Sequence, residues 1–129
     1  MSEVRLGLIP SVISPYVLHA IGRRAAQRYF LTAERFTAGE ARRLGLVHET
    51  APADQLDAIG DRVIEALKLG GPQAIAAAKR LIADIAERPA DGHLVEDTAR
   101  RIAELRDSPE GREGMSAFLE RRKPAWRAE

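Results

Sequence analysis

Apolar residues recur at helical spacing over most of this chain and alternate only at its start. Leu56, Ile59, Val63, Ile64 and Leu67 form one stripe opposite Asp57, Asp61, Arg62 and Lys68, which predicts a helix from Ala53 to Leu69. Gly70-Gly71-Pro72 breaks the chain and restarts it as a helix over Gln73–Glu87, with Ile75, Ala78, Leu81, Ile82 and Ile85 on the apolar side. A turn over Pro89–Gly92 leads into a helix near Leu94–Arg106, and Ser108-Pro109 caps and launches another over Glu110–Arg121, stopped by Pro124. Upstream, Ser14-Pro15 offers the same cap-then-proline device, with Gly22 placed to close a short helix in a left-handed conformation. A further helix follows from Arg23 to Leu31, and Thr37 with Glu40 forms a capping box for Ala38–Leu44, ended by Gly45. The opening Glu3–Ile9 alternates and stops at Pro10, which suits a short strand. Leu46–Glu49 is the other strand-like stretch, so the neighbours of a lone strand are expected from polypeptide upstream of this sequence.

Composition narrows the class. A chain of 129 residues with 45% apolar and 30% charged residues has the balance of a globular domain, neither a disordered tail nor a membrane protein. A net charge of +1 is too small for nucleic-acid binding through a global field, and Arg121-Arg122-Lys123 alone reads as a solvated helix end. Cysteine is absent, which removes disulfides, thiolate nucleophiles and Cys-based zinc sites and makes the cytoplasm the expected compartment. His19, His48 and His93 lack metal-ligand spacing, no phosphate-cradling glycine loop occurs, and no metal is expected. No leader-like or membrane-spanning apolar run is present.

Four stretches, in order, carry a resemblance. They are Glu3 to Pro10 (EVRLGLIP), Leu31 to Val47 (LTAERFTAGEARRLGLV), Gly71-Pro72 with Lys79, and Glu113 to Pro124 (EGMSAFLERRKP). Together they resemble the second half of the crotonase family, the enoyl-CoA hydratase/isomerase group, and Val12 to Tyr16 (VISPY) is similar to its methylglutaconyl-CoA hydratase-like subgroup. The resemblance implies a mainly α fold: the C-terminal helical part of the crotonase (ClpP/crotonase-like α/β) spiral, with a short residual strand. Residues 1–52 would be the last part of the spiral core, and residues 53–129 a helical oligomerisation region. It further implies acyl-CoA substrates, assembly into homo-trimers or hexamers, and no cofactor beyond the coenzyme A of the substrate.

Hydrating a 2-enoyl thioester needs one group to activate water at Cβ and another to deliver a proton to Cα, a task suited to two carboxylates held in different ionisation states. By resemblance Glu3 matches the glutamate that delivers the proton; without it, an acid in this place reads as a solvated charge. Pro10, Ser11, Val12, Ile13 and Tyr16 match the substrate pocket, although Ser11 stands where many members have glycine and reads equally well as a turn residue, and the other four read equally well as packing residues. Phe118 and Arg121 match positions that reach the coenzyme A of a neighbouring subunit, the ring beside adenine and the cation beside phosphate. Read alone, they are a packing residue and a solvated charge. The family's partner glutamate and oxyanion N–H donors come from segments upstream of the matching part, so the isolated chain is expected to be inactive. The competing expectation is a non-catalytic helical oligomerisation module, driven by exposed apolar helix faces.

Overall fold

The computed structural model describes residues 1–127. Six α-helices and three short 3₁₀ turns make up the ordered elements among them: a 3₁₀ turn at Glu3–Leu6, then α1 (Ser14–Thr32), α2 (Ala38–Arg43), a turn at Ala53–Gln55, α3 (Leu56–Lys68), α4 (Pro72–Ile85), α5 (Gly92–Asp107), α6 (Pro109–Leu119) and a turn at Ala125–Arg127. No helix among the described residues is long and apolar enough to cross a membrane. The chain divides between Asp57 and Ala58 into two compact units.

The expected strand over Glu3–Ile9 is absent, as is strand at Leu46–Glu49. A strand without a neighbour leaves its N–H and C=O groups unpaired, so the segment closes local bonds instead. Arg5 N–H donates to Ser2 O at 3.0 Å, Gly7 N–H to Val4 O at 3.2 Å and Leu8 N–H to Glu3 O at 3.0 Å. Gly7, at φ 73°, allows the reversal that ends the turn.

In the first unit Val17, Ile21, Ala26 and Tyr29 are buried together, with Met1, Ala25, Phe30, Phe36, Leu44 and Leu46 packed around them. The Tyr29 and Phe36 rings meet at a tilt, their centroids 4.7 Å apart. Gly22 interrupts α1 as expected, but at φ 74° and ψ 163°, an extended conformation that only glycine adopts readily, not a left-handed cap. Ser14 is not the N-cap. Ile13 holds that place without a side-chain bond, and Ser14 Oγ donates back to Ser11 O at 3.0 Å. Half of the capping box forms: Thr37 Oγ1 accepts from Glu40 N–H at 3.2 Å, while the Glu40 carboxylate turns to Tyr29 and Arg43.

In the second unit polar links join the helices. Both carboxylate oxygens of Glu110, on α6, cap the N-terminus of α4 by accepting from Gln73 N–H at 3.0 Å and Ala74 N–H at 2.8 Å. Arg101 on α5 reaches Asp84 on α4 at 2.7 Å. Asp91 caps α5 through Leu94 N–H and Ser108 caps α6 through Gly111 N–H, at 2.9 and 3.0 Å. Each cap contributes about 1 kcal/mol. Few side chains are buried: α3, α4 and α5 hold none, and α6 holds Ala117.

Candidate functional site

Glu3 opens the first 3₁₀ turn, half-buried, with Oε2 shielded from solvent and without a hydrogen-bond partner among the described residues. Leaving a shielded carboxylate oxygen unpaired is costly, which favours a ligand atom that donates a hydrogen bond to it. Close by in sequence, Pro10 is buried and lines, with Ser11, Val4, Ile9, Phe30 and Leu31, a hollow of about 250 Å³. The turn there is tight: Ser11 N–H donates to Ile9 O at 2.8 Å, and Ser14 N–H to Pro10 O at 3.0 Å. Pro10 and Ser11 are thus brought to one hollow. Val12, Ile13 and Tyr16 lie outside its lining and are exposed, Val12 to 87%.

The other expected pair sits at the end of α6. Phe118 is 78% exposed, and Arg121 N–H donates to Phe118 O at 3.2 Å. Arg121 has φ 54°, in the left-handed region, and its guanidinium has no ion-pair partner among the described residues. The next residue is tightly held: the Arg122 guanidinium forks onto Glu113, with Nη1 to Oε1 at 2.6 Å and Nη2 to Oε2 at 2.9 Å, and its Nε donates to Glu120 at 2.6 Å. Glu113 also accepts from Ala125 N–H at 2.8 Å. Arg122, and after it the Ala125 N–H, hold the Glu113 carboxyl down at about 2.

Two more ionic clusters border hollows, Glu40 with Tyr29 and Arg43 in the first unit and Arg100 with Arg101 and Asp84 in the second. Arg43, then the Tyr29 hydroxyl, hold Glu40 at about 2, and Glu40 in turn raises the Tyr29 phenol. Asp97, on α5, is held at about 2 chiefly by Arg101, with Arg88 and Arg100 adding to it. A groove of about 620 Å³ between α4 and α5 is floored by Ala74, Ala78, Leu81, Ile102 and Leu105. Among the described residues no group of three or more His, Cys, Asp or Glu side chains is arranged to hold a metal.

Sequence reasoning missed the Glu113–Arg122 pair, the reach of Glu110 to α4 and the place of Trp126, whose indole N–H donates to Leu69 O at 3.3 Å. Glu113 and Arg122 both lie in a stretch that carries the resemblance, so the signal was their co-occurrence there. Glu110 reads in sequence only as a first-turn acid of its own helix.

The whole chain, residues 1–129, matches the family described as enoyl-CoA hydratase/isomerase. Among curated relatives, 2,3-dehydroadipyl-CoA hydratase of Escherichia coli is 28% identical over 96% of this chain and 49% of its own length. An enoyl-CoA hydratase structure from Shewanella pealeana superposes with TM-score 0.90 at 48% identity, over 97% of this chain and 46% of that one. An enoyl-CoA hydratase/isomerase structure from Marinobacter aquaeolei gives 0.91 at 37% identity, over 98% and 48%. The chain spans about half the length of the curated relatives it matches, 48% and 49% for the first two. Its helices therefore correspond to the mainly α, C-terminal part of the crotonase fold, and the chain belongs to the enoyl-CoA hydratase/isomerase family.

Proposed function

We propose that this chain serves as the C-terminal portion of an enoyl-CoA hydratase or isomerase acting on 2-enoyl-CoA thioesters, with Glu3 delivering the proton to Cα. The family match over residues 1–129 carries the reading. The shielded Oε2 of Glu3, without a hydrogen-bond partner among the described residues, supports it, because an oxygen left open in this way can meet a substrate atom. In hydration, the family's second carboxylate would take a proton from water as the water oxygen bonds to Cβ, the thioester would become an enolate, and Glu3 would pass its proton to Cα. Pro10 and Ser11 would flank the acyl group. Phe118 and Arg121 would meet the adenine and phosphate of coenzyme A on a neighbouring copy in a trimer or hexamer. The setting proposed is cytoplasmic, with no cofactor beyond the substrate's own coenzyme A.

The second carboxylate and the oxyanion N–H donors of the family belong to its other half. Losing oxyanion donors alone lowers rates by about 10²–10³. The 129-residue chain by itself is therefore expected to show no appreciable hydration of crotonyl-CoA, and turnover at ordinary enzyme rates would defeat the proposal. In a chimera that supplies the missing segments, Glu3→Gln is expected to lower hydration by about 10²-fold or more. A second reading, a non-catalytic helical oligomerisation module, is favoured by the exposed apolar stripes of α3 and α4. Light scattering over a concentration series tests it, since a persistent monomer removes it.

A further inference from the structure

Two helices of this chain end in the same hydrogen-bonded turn, but with different residues at the position that needs positive φ. At the end of α2, Gly45 has φ 82°, its N–H donates to Arg42 O at 3.0 Å, and Leu46 N–H donates to Ala41 O at 2.9 Å. At the end of α6, Arg121 has φ 54°, its N–H donates to Phe118 O at 3.2 Å, and Arg122 N–H donates to Ala117 O at 3.0 Å. This pairing of bonds defines the turn that glycine usually fills, because a Cβ is disfavoured there. Arginine at the second turn works against the backbone, as Ala33 does at φ 52° after α1, so neighbouring bonds must hold it.

The holding groups surround Arg121 without touching its guanidinium. Arg122 is forked onto Glu113 and bonded to Glu120. Glu113 takes the Ala125 N–H, which starts the Ala125–Arg127 turn. That turn sets Trp126 against Gly114, where an added Cβ would stand 3.0 Å from the ring, and aims the indole N–H at Leu69 O. The backbone on the C-terminal side of Arg121 is thus fixed by side chains, and that on its N-terminal side by α6.

We propose that Glu113 is a positioning residue: acting through Arg122, it holds Arg121 in the left-handed turn and so presents its guanidinium, three residues from the exposed Phe118 ring, to a phosphate of coenzyme A. This rests on the reading of Phe118 and Arg121 given under Proposed function. Pre-ordering the turn spares the ligand the cost of fixing the backbone that carries Arg121 on binding.

The chimera that supplies the missing segments, made without tryptophan in the added part, is titrated with coenzyme A while the Arg121 Nε–H resonance is followed by NMR, for the native sequence, Glu113→Gln, Arg121→Gly and the double variant. Emission from Trp126, the only tryptophan, reports the clamp independently. Glu113→Gln is expected to shift Trp126 emission to the red and weaken coenzyme A binding by about five- to tenfold. Arg122→Lys, which keeps the charge but loses the fork, should act in the same direction. Arg121→Gly is expected to keep or raise the melting temperature while removing the same affinity, and Glu113→Gln should add nothing further in that background. A red shift with unchanged affinity in Glu113→Gln overturns the positioning role and leaves the coenzyme A reading standing. An affinity that does not change in Arg121→Gly, or a native Arg121 resonance that does not move, overturns the coenzyme A reading itself.

Discussion

The two units of the chain are stabilised differently. In the first, Val17, Ile21, Ala26 and Tyr29 of α1 are buried together, and polar bonds such as Tyr29 Oη to Glu40 at 2.9 Å accompany that cluster. In the second, amphipathic helices are tied near their ends by Glu110, Asp91, Ser108 and Glu113, while Ile64, Leu67, Ile82, Val95 and Ile102 remain exposed. Apolar burial is the main source of stability in a compact domain, so the first unit owes its fold to its own side chains. The second buries Ala117 on α6 and no side chain on α4 or α5, and rests more on its polar links, although exposed apolar side chains such as Leu6, Leu8, Ile9 and Val12 occur in the first unit as well.

The largest expected effect separates the units directly. Ile21, 8% exposed, sits in the small core, and Ile21→Ala should cost about 2–4 kcal/mol in thermal unfolding followed by circular dichroism. Ile82, 68% exposed, should cost less than about 0.5 kcal/mol on the same change. Equal losses at the two positions would mean that the α4 face is covered in solution and the contrast does not hold.

A second pair of substitutions sharpens the view of how the second unit is joined. A Cβ on Gly111 would run into the carbonyl of Leu105 and the backbone of Arg106, which cannot swing aside as a side chain does. Gly111→Ala is expected to destabilise by about 1–3 kcal/mol. Gly60, inside α3, has nothing within 4 Å of an added Cβ, and Gly60→Ala should stabilise by about 0.5–1 kcal/mol. Denaturant unfolding of both variants checks the opposite signs.

The smallest effect is common to both units. Glu40 in the first and Asp97 and Glu113 in the second each have a carboxyl held at about 2, below its ordinary value, by arginine partners. A depressed carboxyl stabilises the fold above its unfolded value, and the benefit is lost as pH falls toward the folded one. Helical signal should therefore hold from neutrality to about pH 4.5 and decline between there and about pH 2, in steps no larger than exposed ion pairs allow. Glu40→Gln should flatten the part of that decline belonging to the first unit. High salt should weaken it in both.

Much of the helix plan was legible because its signals are local. The Gly70-Gly71-Pro72 break, the Ser108-Pro109 start and the Gly45 stop each act within one turn of the backbone, and the helices begin and end close to them. The misreadings share one cause. Alternation over Glu3–Ile9 matches a strand only where another strand can pair with it, and the isolated segment coils instead. Ser14 has the right type for a cap, yet the turn at Ser11 takes its hydroxyl. Glu40 fits the capping box, yet Tyr29 and Arg43 offer its carboxylate stronger partners.

The candidate site divides along the same line. Glu3, Pro10, Ser11, Phe118 and Arg121 were identified from residue type, order and family resemblance, which need no geometry. That Glu3 Oε2 is shielded and unpartnered, that Pro10 and Ser11 share a hollow without Val12 or Tyr16, and that Arg121 occupies a glycine-type turn were not visible there.

By itself the sequence determined where this chain is helical and where its helices break, because periodicity, caps and residue type act over a few positions. Only the tertiary structure decided which polar groups are satisfied and by whom. Glu113 meets Arg122 nine residues on, Glu110 meets Gln73 across 37, and Trp126 meets Leu69 across 57, pairings set by how the chain folds back and not by any local pattern.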